Sequence, residues 1–293
     1  MISTANQPLS TEIHCLSTAL SPAIDIKVQL LVGFALGFCI SLLAWKMHAL
    51  SPSGAVAATL TGGLIFSLGG LPWAFLLLTF FISSSALSRL FTRRKIVLNE
   101  KFAKGNQRDW GQVLANGGLG ILLVLAHIVW PLQAWPWIAF IGSMAAVNAD
   151  TWATELGVLS RLPPRLITNG RVVERGTSGG VSPLGVLAAL GGAVLVGGIA
   201  VVFSTGWKAL ILLGNAGLAG LTGSLFDSVL GASVQAIYRC PACQKETERH
   251  PLHLCGTETI RVRGWRWLNN DWVNFACSLV GAGVAVGLWL LRL

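Results

Sequence analysis

The hydrophobic positions of this chain gather into long runs separated by short polar clusters. A helix that crosses a bilayer needs about 20 mainly apolar residues. Eight stretches meet that requirement: 28–47, 51–68, 71–90, 111–130, 135–157, 181–203, 209–235 and 271–291. The pattern therefore predicts an all-α polytopic membrane protein with about eight transmembrane helices. The second, fifth and seventh stretches hold small and polar residues that suit a cavity or a neighbouring helix better than lipid. Residues 1–27 lack a basic segment leading into an apolar core and a small-residue cleavage site. They read as a short N-terminal extension rather than a secretory signal, which leaves 28–293 as one transmembrane domain.

Charge sharpens this picture. Numbered in order, the odd loops carry Lys46, then Arg89 to Arg108, then Arg161 to Arg175, then Arg239 to Arg266, and the other side has only Lys27, Lys208 and Arg292 out of 21 Lys and Arg. The positive-inside rule puts the odd loops in the cytoplasm and both termini on the non-cytoplasmic side. The net charge of +9 is then first a topological signal, and it requires no nucleic-acid partner. Composition agrees with a membrane solvent: 53% of residues are hydrophobic, only 11% are charged, and mean hydropathy is +0.66, against about 25% charged in soluble domains.

A carboxylate at mid-membrane costs about 2.5 to 3.5 kcal/mol on insertion scales, so Asp150, Glu155, Asp227 and Asp271 each need a reason. All four fall toward the basic ends of their spans and could converge on one pocket. Helical spacing puts Asn148, Thr151 and Glu155 on one stripe, with Asp150, Thr154 and Gly157 on the next. Such an oxygen-rich face suits Mg²⁺, which is often held by one or two carboxylates together with substrate phosphates. Interhelical hydrogen bonding is the other reading of the same residues.

Arg175-Gly176-Thr177-Ser178-Gly179-Gly180 precedes the sixth span. Glycines let backbone N–H groups approach an anion, the hydroxyls add donors, and the next helix presents its positive end, so the segment fits a phosphate cradle. It also fits a tight turn in which Ser182 caps the sixth span and Pro183 enters its first turn. Ser224 and Asp227 lie on the seventh span among glycines that permit close packing, which does not account for the aspartate. Gln112 and Asn116 share a face of the fourth span and could bind a ligand or a neighbouring helix. In the last polar loop, 236–270, Cys240-x-x-Cys243 is followed by His253 and Cys255. These four suit a closed structural Zn²⁺ site, with free thiols as the alternative.

Taken in order, Asn148-Ala-Asp150-Thr-Trp-Ala-Thr-Glu155-Leu-Gly157, Pro164-Arg165-Leu-Ile-Thr168, Gly176-Thr-Ser-Gly-Gly-Val-Ser182 and Gly223-Ser-Leu-Phe-Asp227-Ser-Val-Leu-Gly231 resemble the motifs of the membrane-bound phytyl-phosphate kinase family of the vitamin E pathway. The Cys-x-x-Cys to His-x-Cys-Gly loop and Leu268-Asn-Asn-Asp271-Trp-Val-Asn274 extend the likeness over about residues 30 to 290. General design is similar to that of membrane polyprenol kinases.

The resemblance implies transfer of a phosphoryl group from a nucleoside triphosphate, CTP by implication, to phytyl or geranylgeranyl monophosphate, giving the diphosphate used for tocopherol and phylloquinone. It implies a plasma or photosynthetic (thylakoid or plastid) membrane, with the active site on the cytoplasmic or stromal face. On this reading 28–293 is a catalytic domain in which Asp150, Glu155 and Asp227 hold Mg²⁺. Arg165, Thr177, Ser178, Gly179 and Gly180 bind phosphates, and Lys104, Arg108, Asn116, Asn148, Ser224 and Asp271 complete the nucleotide and metal surroundings. The isoprenoid tail lies between apolar helices. A carrier or flippase for an anionic isoprenoid lipid is the competing function, because buried charge and glycine-rich helices also mark transport pathways. Oligomeric state is open.

Overall fold

The computed structural model describes residues 26–91, 101, 104, 107–204 and 208–291. The N-terminal extension, apart from its last two residues, lies outside the described residues, as do Arg93, Arg94, Lys95 and Arg292 of the charge pattern. The helices are α1 (Ile26–Lys46), α2 (Pro52–Leu90), α3 (Trp110–Val129), α4 (Trp135–Gly157), α5 (Pro183–Val202), α6 (Lys208–Ser233) and α7 (Asn270–Leu290). All except α4 are long and apolar enough to cross a membrane.

The second and third expected spans are the two legs of α2. Gly70 breaks the helix with φ 75°, a left-handed value that suits glycine, and Pro72 follows within two residues. Were α2 straight, Thr61 and Phe80 would stand about 28 Å apart at 1.5 Å per residue, yet both line one cavity. The chain therefore reverses at Gly70.

Lipid cannot hydrogen-bond the backbone, so the helix is the form these segments must take. Their outer faces are apolar, with Leu31, Val56, Ile82, Leu187, Leu210 and Leu279 among the exposed side chains. The fifth span, α4, is the least lipid-like for a reason the structure makes plain: it is the hub, touching α2, α3, α5, α6 and α7. Residues 136–149 of α4 are all buried. Trp73, Trp137 and Phe140 cluster at one end, with Trp73 4.5 Å from the Phe140 ring. At mid-length Gly142 of α4 and Gly281 of α7 face each other so closely that a Cβ on either would strike the other's carbonyl.

Among the described residues, four helices begin with a polar cap. Ser51 accepts from Gly54 N, Asp109 and Gln112 form a reciprocal capping box, Ser182 accepts from Gly185 N, and Asn269 accepts from Asp271 N and Trp272 N. The capping expected of Ser182 is thus present. Two loops add short strands that the all-helical expectation did not include. β1 (Arg165–Leu166) pairs with β2 (Gly180–Val181), and β3 (Ile237–Arg239) lies between β4 (Glu246–Thr247) and β5 (Ile260–Arg263).

Candidate active site

At the end of the bundle that carries the capped N-termini, a cavity of about 340 Å³ opens between α4, α6, α7, the start of α3 and the glycine loop. Asp150, Glu155, Asp227 and Asp271 all line it, from three different helices, together with Thr177, Ser178, Gly179, Gly180, Ser224, Lys104, Arg108 and Asn116. Each carboxylate sits near a helix end, where the chain leaves apolar packing for polar loops. The first turns of α3, α5 and α7 also form part of the wall, through Gln112, Ser182 and Asn270. Helix N-termini carry partial positive charge, so the cavity combines fixed dipoles that favour an anion with carboxylates that favour a cation. Such a pairing suits a metal-chelated polyanion.

The carboxylates are unequally occupied. Asp150 accepts a long contact from Ser224 Oγ at 3.5 Å, and its charge acts on Asp227 of α6. Asp227 Oδ2 is buried without a hydrogen-bond partner among the described residues. Two acidic side chains side by side, one with an orphaned oxygen, fit a hard divalent cation such as Mg²⁺. Glu155 accepts from Ser88 Oγ at 2.8 Å. Asp271 is held differently, because Lys104 Nζ donates to it at 2.5 Å and to Asp109 at 2.9 Å.

Burial works against the Lys104 charge, but hydrogen bonds and attraction from Asp271 and Asp109 outweigh it and raise the amine above its ordinary 10.5. A raised cationic group contributes stability that is complete below the unfolded value and disappears as pH climbs through the folded one. The Tm difference between wild type and Lys104→Met is therefore expected to be largest below pH 10.5 and to shrink above it. A difference that grew on the alkaline side would contradict this pairing.

The glycine loop is held from both sides. The β1–β2 pairing matches Arg165 to Val181, and Ile167 N donates to Gly179 O at 3.0 Å. Gly179 has φ 80° and presses on the end of α6, where an added Cβ would come within 2.6 Å of Ala232 Cα. Ser178 Oγ donates to Gln235 Oε1 at 2.7 Å, and Gln235 Nε2 donates to Glu248 at 2.9 Å. The last polar loop is thereby tied to the cavity wall, and Glu248 itself lines it.

Two expected residues do not join this group. Asn148 is fully buried away from the cavity; it donates to Gly192 O at 2.8 Å and accepts from Ser83 Oγ at 2.9 Å. It clamps α4 to α5 and α2, the interhelical role left open in the sequence. Arg165 is exposed and donates to Gly170 O at 2.9 Å, closing its own hairpin turn. Among the described residues, the arginines that do line the cavity are Arg108 and Arg175. Burial, partly offset by the nearby Glu155 charge, lowers Arg108 to about 10, so it remains a cation at neutral pH. Ser88 and Glu248 had no sequence signal. Asn269, Asn270 and Asn274 were visible within a motif, and their clustering beside Asp271 was the available clue.

In the last loop, one ligand atom each from Cys240, Cys243, His253 and Cys255 falls within 4.8 Å of all the others. Cys240 Sγ and Cys255 Sγ are 3.5 Å apart, and His253 Nδ1 lies 3.2 Å from Cys255 Sγ. A zinc tetrahedron with 2.3 Å arms has edges of about 3.8 Å, so the four atoms have the spread of such a site. Hydrogen bonds with Thr257 and then His253 bring the Cys255 thiol down to about 5. The contact with Cys255 and burial push Cys243 up to about 11.

The apolar helices around a buried hub, with a carboxylate cavity under a glycine loop, define a multi-pass helical protein of the membrane. The chain belongs to the integral membrane protein family DUF92, whose profile matches residues 35–282. It is similar to Protein PGR of Arabidopsis thaliana, at 33% identity over 278 residues that cover 87% of this chain and 94% of that protein. The uncharacterized membrane protein MJ0933 of Methanocaldococcus jannaschii is 34% identical over 208 residues, 71% of this chain and 84% of the relative. Protein VTE6, chloroplastic, of Arabidopsis thaliana is 24% identical over 243 residues, 81% of this chain and 64% of that protein. No solved structure matches the chain. The resemblance read from the motifs is borne out at the level of this family.

Proposed function

We propose that this protein is a membrane kinase that transfers a phosphoryl group from a nucleoside triphosphate, CTP by the resemblance, to an isoprenyl monophosphate such as phytyl or geranylgeranyl monophosphate. The observation that carries the reading is the meeting of Asp150, Glu155 and Asp227 with the glycine loop and three helix N-termini in one cavity. The likeness to VTE6 supports it. An oxygen of the acceptor phosphate attacks the γ-phosphorus, the bond to the β–γ bridging oxygen breaks, and the nucleoside diphosphate leaves. The acceptor is already an anion at neutral pH, so no strong base is needed. Positioning and charge neutralisation dominate such transfers.

Asp150 and Asp227 would hold Mg²⁺, with Glu155 close by. When bound, the ion would neutralise the charge of the phosphates. Thr177 and the backbone N–H groups of the glycine loop would bind phosphate oxygens, and Arg108 and Arg175 would supply cationic donors. On this reading the active site faces the cytoplasm or stroma, where nucleotide is available. Purified protein given Mg²⁺, CTP and phytyl monophosphate is expected to form phytyl diphosphate. Absence of product with every nucleotide and isoprenyl monophosphate, together with nucleotide-independent movement of labelled lipid phosphate in proteoliposomes, would favour the carrier instead.

The Cys/His cluster supports a structural Zn²⁺ with every position filled, bracing the loop that carries Glu248. One equivalent of zinc per chain is expected by elemental analysis, and Cys240→Ser should lose it and lower Tm. Protein that is zinc-free when prepared without chelator, and of full stability, would exclude the site.

A further inference from the structure

Beside the polar cavity lies a second one of about 270 Å³ with almost wholly apolar walls, supplied by α1, both legs of α2 and the start of α3. Arg108, Gln112 and Asn116 line both cavities, so the two spaces meet at these three side chains. Arg108 is the hinge of the arrangement. Its guanidinium carbon stands 5.1 Å from the Phe80 ring and 5.9 Å from Phe81. A cation placed where an apolar channel opens into a carboxylate and glycine-loop site matches the headgroup of an anionic amphiphile. Toward the other end, Leu36 and Phe75 line the channel and are 44% and 48% exposed on the lipid-facing side of the bundle. A chain can therefore enter from the bilayer.

Resting on the kinase reading, we propose that the channel between α1, α2 and α3 binds the hydrocarbon tail of the lipid monophosphate substrate, with its phosphate at Arg108, Gln112 and Asn116. Reversal of α2 at Gly70 creates this space, because it lays Phe66 of the first leg and Phe75 of the second along the same channel. The arrangement would select long apolar chains. A tail that enters from the bilayer exchanges lipid for protein contacts, so close van der Waals fit to the channel walls is what selects it.

Gly62 offers the test. It lines the channel, and a Cβ built on it meets no atom within 4 Å, so Gly62→Phe fills the space without displacing backbone. The ratio of kcat/KM for a twenty-carbon isoprenyl monophosphate over a five-carbon one is expected to fall about tenfold or more in Gly62→Phe. Gly198→Phe, at another open glycine outside the channel, should keep the wild-type ratio. An unchanged ratio in Gly62→Phe would overturn the tail site while leaving the kinase reading intact.

A second readout needs no turnover. A long-chain alkyl monophosphate carrying a diazirine near mid-chain should label α1 or α2 in the wild type and lose that labelling in Gly62→Phe. Competition by phytyl monophosphate, and not by phosphatidylglycerol, is the expected pattern. Labelling confined to other helices, or displacement by phosphatidylglycerol, would overturn the proposal. If channel labelling were found in a protein that transfers no phosphate, the kinase reading alone would fail.

Discussion

Asp227→Asn and Asp150→Asn are each expected to lower phosphoryl transfer by about 1,000-fold while leaving Tm unchanged or slightly raised. Both substitutions keep shape and remove a charge. Asp227 has an oxygen that nothing among the described residues satisfies, and the Asp150 charge acts on it. Without a metal these two carboxylates oppose folding, so removing one relieves repulsion even as it removes a ligand. The opposite signs on activity and stability separate a functional site from a structural polar network. Initial rates on purified variants, with thermal melts of the same samples, make the comparison. Rates within tenfold of wild type would sink the metal assignment. A Tm collapse would show that the pair holds the bundle together.

Gly281→Leu is expected to destabilise the bundle by about 3 kcal/mol or more. A Cβ at this position meets Gly142 O and Ala146 Cβ, and one at Gly142 meets Gly281 O and Ala285 Cβ. The backbones of α4 and α7 are in contact here, and α4 is packed on every side. Between lipid-exposed helices no water is released by association, so close van der Waals fit carries the assembly. Two positions along the same helix, Gly283 has open space where its Cβ would stand, and Gly283→Leu should be nearly neutral. Equal melting temperatures for the two leucine variants would refute the close crossing.

The carboxylates could be singled out from sequence because lipid makes an unpaired acid costly wherever it lies in an apolar run. Asp150 and Asp227 met that test, and both line the cavity. The same logic misplaced Asn148. Helical spacing put it on a stripe with Glu155, but α5 packs against that part of α4, and the amide satisfies the Gly192 carbonyl. Arg165 was grouped with the glycine loop by proximity in the chain, yet its guanidinium turns to Gly170 within the hairpin. Glu248 was invisible. It reaches the wall where Gln235 and Ser178 tie its loop to the cavity.

The sequence by itself determined where helices form, which runs face lipid, and which acids require a partner, because in a bilayer every backbone group must be satisfied within its own segment. Tertiary structure alone decided the rest. It made α4 the hub, reversed α2 at Gly70, paired Lys104 with an aspartate 167 positions away, and set an apolar channel against the polar cavity. These outcomes depend on which helix faces which, and hydropathy, which reports only the preference of a segment for lipid, carries no information about its neighbours.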